Sequence, residues 1–126
     1  AEAFAEYMHN RVRQDLWGYQ TKKLSNEAMI KEKYQGIRPA PGYPACPEHT
    51  IKKDIFSLLQ AKEIGMELTE SMSMMPASSV SGFYFAHPEA KYFSVDKIDE
   101  DQIDDMAKRR SISKDQLKKW LASSLR

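Results

Sequence analysis

Residues 36–50 read GIRPAPGYPACPEHT and place four of the chain's six prolines within nine residues, around one arginine and one tyrosine. Proline fixes φ, donates no backbone hydrogen bond and pushes the residue before it towards extended conformations. The stretch is therefore expected to be neither helix nor paired strand, but a stiff, extended loop. Such a loop is either a spacer or a holder.

The 126 residues suit one domain with a real core. Nineteen Lys and Arg against eighteen Asp and Glu leave a formal charge of +1, without the clustered basic excess of a nucleic-acid binder. The basic groups at 108–110 and 118–119 sit beside the acidic run DEDQIDD at 99–105 and read as solvated, locally paired helix faces. A single cysteine allows no internal disulfide and no zinc cluster, and it fits a reducing, cytoplasmic compartment. No apolar run reaches membrane-spanning length, and AEAFAEYMHN has no signal-peptide pattern. That opening is helix-like from its first residue, as in a piece of a larger protein.

Phe4, Met8, Val12 and Leu16, with Ala1 and Ala5, predict one apolar helix face that closes near Trp17-Gly18. Ser25 or Asn26 caps a second helix, NEAMIKEKY, with Met29, Ile30 and Tyr34 buried and Gly36 as its stop. A third helix starts at Pro47-Glu48, buries Ile51, Ile55, Leu58 and Leu59, and ends at Gly65. The period then changes to two. ELTESMSM, SVSGFYFA and KYFSV read as strands, with His87-Pro88-Glu89-Ala90 turning between the last two. Asp99 with Gln102 and Ser113 with Gln116 resemble capping boxes for two closing helices. The expected order is α-α-loop-α-β-β-β-α-α: an α+β fold with an antiparallel sheet of at least three strands.

His9, His49 and His87 have no ligand-spaced partners and read as surface or turn residues. Cys46 and His49, three apart in a proline-bounded turn, are a poor nucleophilic pair. The methionines at 66, 72, 74 and 75 read as core packing. The loop is the better candidate. Arg38 offers a planar fork of donors for a carboxylate or phosphate, Gly42 permits close backbone approach, and Tyr43 adds a ring and a hydroxyl. Pro39, Pro41 and Pro44 lower the entropy lost on ordering, and the following helix presents free N–H groups. A small anionic or zwitterionic ligand and a rigid connector both remain open on this reading.

The loop also resembles the signature of the C-terminal activation domain of cobalamin-dependent methionine synthases. WGY at 17–19, LSNE at 24–27, YQGIRPAPGYPACPEHT at 34–50, LTES at 68–71, SVSG at 79–82 and KY at 91–92 follow that family's order over essentially the whole chain. The resemblance implies that residues 1–126 are the C-terminal part of such a domain. It implies a module that binds S-adenosylmethionine and positions its methyl group for reductive methylation of cob(II)alamin, serving a methyltransferase without being catalytic alone. Cobalamin and zinc are then expected elsewhere in the full-length enzyme. The implied partners are its cobalamin-binding domain and a flavodoxin or diflavin reductase as electron donor, with no nucleic acid and no membrane. The runner-up is a docking domain without a ligand of its own.

Carried over residue by residue, the resemblance assigns Arg38 to the ligand's carboxylate. Ala40, Gly42 and Tyr43 line the same loop, with Tyr43 beside the sulfonium. Tyr92 and Phe93 contact the ligand from the end of the sheet. Phe93 stands where the family carries a second tyrosine, so a hydroxyl is lost there and stacking is kept. Glu2 and Glu32 fall where the family places carboxylates near the ligand's amino end. A further acidic contact is expected upstream of Ala1, and exposed apolar surface is expected with it.

Overall fold

In a computed structural model that describes residues 1–125, the chain opens with helix α1 (Glu2–Arg11), which runs directly into a π-helical turn, Val12–Leu16. Helix α2 (Asn26–Ile30) starts at Ser25, whose hydroxyl accepts the Ala28 N–H at 3.2 Å. It is shorter than the sequence pattern suggests. The chain leaves helical geometry at Glu32, which has a left-handed φ of 49°, four residues before Gly36. The proline loop follows, then helix α3 (Lys52–Leu58) and a 3-10 turn, Ala61–Ile64, that ends at Gly65.

Strands β1 (Glu67–Leu68) and β2 (Met74–Met75) pair antiparallel, Glu67 opposite Met75 and Leu68 opposite Met74. Helices α4 (Glu100–Arg110) and α5 (Lys114–Trp120) and a 3-10 turn, Ala122–Ser124, complete the described chain. Both expected caps form. Asp99 and Gln102 make a capping box, and Ser113 accepts the Gln116 N–H at 3.2 Å. No helix among the described residues is long and apolar enough to cross a membrane.

The mixed helix-and-sheet class matches the sequence pattern, but the expected three-stranded sheet is replaced by a two-stranded ladder among the described residues. SVSGFYFA spends its backbone groups elsewhere. Ile37 and Phe85 exchange N–H···O bonds of 2.9 and 3.0 Å, and the Phe83 N–H reaches the Pro39 carbonyl at 2.9 Å. The head of the proline loop therefore does pair, contrary to expectation. The bonds it makes use the Ile37 N–H and two carbonyls, none of which proline removes. Gly82 makes the approach possible, because a Cβ there would lie 2.7 Å from the Pro39 carbonyl oxygen. The turn at 87–90 closes as expected, with the Ala90 N–H on the His87 carbonyl at 3.0 Å.

The main apolar cluster joins α4 to α5. Ile103, Ala107, Leu117 and Leu121 are buried, and Ile98, Met106, Ile112, Trp120 and Leu125 surround them. Arg110, in the last turn of α4, pairs with the buried carboxylate of Glu48 and stacks its guanidinium 5.8 Å from the Trp120 ring centre. Glu48 also accepts the Thr50 N–H and hydroxyl. The glutamate expected only to favour a helix dipole is thus the bolt between the loop's exit and the C-terminal helices.

Of the apolar face expected on α1, Val12 is buried and Ala5 and Met8 are partly buried, while polar neighbours take the other inward positions. His9, Val12 and Arg13 are buried, while Phe4 and Leu16 are exposed. The π-helical turn contributes, since i→i+5 bonding (Trp17 N–H to Val12 carbonyl, 2.9 Å) advances the helix surface and carries Leu16 outward. Ile30, Leu58 and Leu59 are likewise exposed rather than buried. Truncating Leu117 to alanine is expected to cost about 2–5 kcal/mol, because its fully buried side chain would leave a cavity that the α4–α5 pair cannot close. Urea denaturation followed by circular dichroism measures this.

Candidate functional site

The proline loop is folded by a few backbone bonds. The Gly42 N–H donates to the Cys46 carbonyl at 2.7 Å, the Cys46 N–H to the Tyr43 carbonyl at 2.8 Å, and the Val95 N–H to the Pro44 carbonyl at 2.8 Å. Gly42 holds a φ of 92°, and a Cβ there would run into the His49 ring, so both conformation and space demand glycine. The His49 ring is fixed in turn. Its Nδ1 lies 3.1 Å from the Lys52 Nζ, and that buried ammonium also donates to the Met72 carbonyl at 2.7 Å.

This bend forms one wall of a cavity of about 770 Å³. Arg38, Ala40, Gly42 and Tyr43 line it from the loop, Glu2 from α1, and Tyr92 and Phe93 from the extended segment opposite. Ser73, Ser79 and Ser81 add hydroxyl-bearing residues, and His49 and Lys52 lie at its wall. The rings of Tyr43 and Phe93 are exposed and that of Tyr92 is half-exposed, so aromatic faces stand on the rim. Tyr92 is bound to the loop itself, its hydroxyl accepting the Arg38 backbone N–H at 2.9 Å. Seven of the eight residues singled out in the sequence share this lining. Glu32 does not, and lies 3.8 Å from the Arg38 guanidinium instead.

Behind the lining sits a polar cluster that sequence reading missed. The Arg38 guanidinium pairs with Glu6 at 2.8 Å, donates to the Tyr34 hydroxyl at 2.6 Å and lies 3.2 Å from His9 Nδ1. Arg13 lies 3.5 Å from the Tyr34 ring centre and 3.6 Å from Glu6. His9 stacks on Tyr84 at 4.9 Å between ring centres and meets Tyr34 edge-on at 5.1 Å. Burial works against the Arg38 charge, but the Tyr34 hydrogen bond and the Glu6 carboxylate outweigh it and push its pKa up. Burial, then the neighbouring Arg13 and Arg38 charges, lower the His9 pKa to about 4, so its ring is neutral near pH 7. The available signal was the stripe Glu6, His9, Arg13, spaced to share one helical face from α1 into the π-helical turn, which the apolar positions beside it outweighed.

Cys46 lies apart from this cavity. It lines a second, largely apolar one of about 700 Å³ with Phe83, Phe85 and His87, whereas His49 belongs to the first. Burial, then the Glu48 charge, raise the thiol's pKa, the opposite of what a reactive nucleophile needs.

Residues 1–111 match the family model described as "Vitamin B12 dependent methionine synthase, activation domain". Among solved structures the chain is similar to the crystal structure of the MetH reactivation domain bound to AdoHcy, with 57% sequence identity and a TM-score of 0.95. That likeness covers 99% of this chain and 39% of the other, so the chain spans well under half the length of the protein it matches.

Two outcomes test the site's construction. Gly42→Ala is expected to cost more than about 1 kcal/mol, because the backbone conformation and the His49 ring both oppose a side chain; thermal melting measures it. His9 is neutral in both folded and unfolded chains above pH 6.5, and between 6.5 and about 4 the unfolded chain alone takes up the proton. Stability should therefore fall as the pH drops through that window, by roughly 3 kcal/mol at its lower end. Urea midpoints from pH 7 to 4, compared with those of His9→Gln, measure the share that belongs to this ring.

Proposed function

The chain belongs to the activation-domain family of vitamin B12-dependent methionine synthases, and from that premise we propose that it binds S-adenosylmethionine in the cavity between the proline loop and the Tyr92–Phe93 segment. The observation that carries this reading is that one cavity is lined by Arg38, Glu2, Tyr43, Tyr92 and Phe93 together. A guanidinium, a carboxylate and a set of ring faces are the groups that a ligand with a carboxylate, an ammonium and a sulfonium requires. About 770 Å³ is within the usual range for a site that encloses a small molecule. The similarity to a reactivation domain bound to AdoHcy, the demethylated form of that ligand, supports the same chemistry.

In this proposal Arg38 takes the ligand's carboxylate and Glu2 its ammonium. Glu32 stands behind Arg38, 3.8 Å from the guanidinium, where its carboxylate offsets part of the positive field. Ala40 and Gly42 supply a wall low enough for close approach, and Tyr43, Tyr92 and Phe93 border the sulfonium and the adenosyl group. S-adenosylmethionine supplies a methyl group on a positively charged sulfur. The protein's part is to hold that group in a fixed orientation on a rim of aromatic side chains, which is catalysis by positioning. No side chain in the lining is required as a general acid or base.

Residues 1–126 are, on this reading, the C-terminal part of an activation domain within a cytoplasmic methyltransferase, whose antiparallel sheet of at least three strands would include the β1–β2 ladder. The cavity presents the methyl donor to cob(II)alamin carried by the enzyme's own cobalamin-binding domain, and a flavodoxin or diflavin reductase supplies one electron. Cobalamin and zinc are held in other parts of that enzyme.

Isothermal titration with S-adenosylmethionine tests the reading. Wild-type protein should give saturable heat, and Arg38→Ala should weaken binding by about tenfold or more, as expected for losing a charge-assisted contact. No heat from either protein would replace the reading with that of a docking module without a ligand.

A further inference from the structure

Arg38 is oriented by two uncharged groups as well as by a carboxylate that it shares. Its Nη1 donates to the Tyr34 hydroxyl at 2.6 Å and lies 3.2 Å from His9 Nδ1, both uncharged partners. Its Nη2 meets Glu6 at 2.8 Å, but Arg13 lies 3.6 Å from the same carboxylate, and Glu32 is 3.8 Å away and half-exposed. Two guanidiniums therefore share one close carboxylate, so Glu6 alone does not balance both.

Forming this arrangement has a cost. If His9 Nδ1 accepts from Arg38, the ring proton must sit on Nε2, and Nε2 is buried without a hydrogen-bond partner. Arg13 Nη1 is buried without one as well. Buried polar atoms are rarely left in this state, and each costs stability. An unpaired N–H is therefore tolerated in order to give Arg38 a neutral acceptor.

We propose that Tyr34 and His9 are positioning residues that aim the Arg38 guanidinium at the cavity through uncharged hydrogen bonds, leaving its charge available to the carboxylate of the ligand. The proposal rests on the reading of Arg38 given above. It adds that the guanidinium's aim, set by residues outside the lining, determines affinity for the amino-acid end of the ligand. The other groups facing the pair are Glu6 on α1, Arg13 on the π-helical turn, Glu32 beyond α2, and Tyr84, which stacks on His9. Tyr84 supplies a flat wall for His9, and Burial raises the pKa of Tyr34 and Tyr84 alike, so both phenols stay protonated near pH 7.

A double-mutant cycle in the full chain, read by titration with S-adenosylmethionine, tests this. Tyr34→Phe keeps the ring under Arg13 but removes the hydroxyl, and should weaken binding by about tenfold. In an Arg38→Ala background the same change should cost far less, because the one contact of the hydroxyl then left is its donation to Glu6 at 3.2 Å, behind the lining. His9→Gln, whose side-chain oxygen restores an acceptor, should bind more tightly than His9→Leu, with melting temperatures recorded for all variants. An Arg38→Ala protein that binds as well as wild type overturns the site reading itself. If Arg38→Ala weakens binding while Tyr34→Phe does not, only the positioning role fails. A Tyr34→Phe penalty of equal size in both backgrounds makes Tyr34 a structural residue and also overturns the role. If His9→Leu does not fold, the Tyr34 cycle decides alone.

Discussion

The guanidinium of Arg38 is the junction on which the N-terminal half of the molecule depends. Its side chain ties α1, through Glu6 and His9, to the stretch between α2 and the proline loop, through Tyr34. Its backbone N–H ties the same point to Tyr92, 54 residues further on. Three segments are thereby brought around one cavity. The geometry follows from chemistry: a planar cation with donors along its edges can meet several acceptors at once, and no other side chain does this while staying charged at every ordinary pH.

A second junction holds the other end of the loop. Glu48 is buried, accepts from Thr50 and pairs with Arg110, so the last proline of the loop is anchored to the best-packed part of the molecule, the α4–α5 pair. An uncompensated carboxylate in such a position would be costly, and the arginine together with the Thr50 donors is what makes its burial tolerable. The loop is thus clamped at both ends by arginine–glutamate pairs, Arg38–Glu6 before the prolines and Arg110–Glu48 after them. Between the clamps, proline supplies stiffness and Gly42 supplies the single reversal that turns Tyr43 towards the cavity.

This division explains why so many large apolar side chains lie at the surface. Phe4, Tyr7, Leu16 and Trp17 on the N-terminal helical segment are exposed, as are Tyr43, Tyr92 and Phe93 on the cavity rim. The first group, in which Phe4 stacks on Tyr7 and Trp17 meets Tyr19 edge-on, follows from the inward turn of the polar stripe on α1. The second group is what a site for an aromatic, cationic ligand presents before it is filled.

Local chemistry was legible from the sequence alone. Proline chemistry marked the loop at 36–50, Ser25, Asp99 and Ser113 marked helix starts, and His87 to Ala90 marked a turn, because each depends on residues within a few positions of one another. The lining residues Arg38, Ala40, Gly42 and Tyr43 were legible for the same reason, being one short motif. Only the tertiary structure decided which face of α1 is buried, where SVSGFYFA finds its hydrogen-bond partners, and what surrounds Arg38. Those outcomes rest on pairs such as Glu6 with Arg38, Ile37 with Phe85 and Glu48 with Arg110, separated by 32, 48 and 62 residues. A polar stripe looks solvated until its distant partners are known, since nothing in the local pattern tells a charge facing water from one facing an opposite charge.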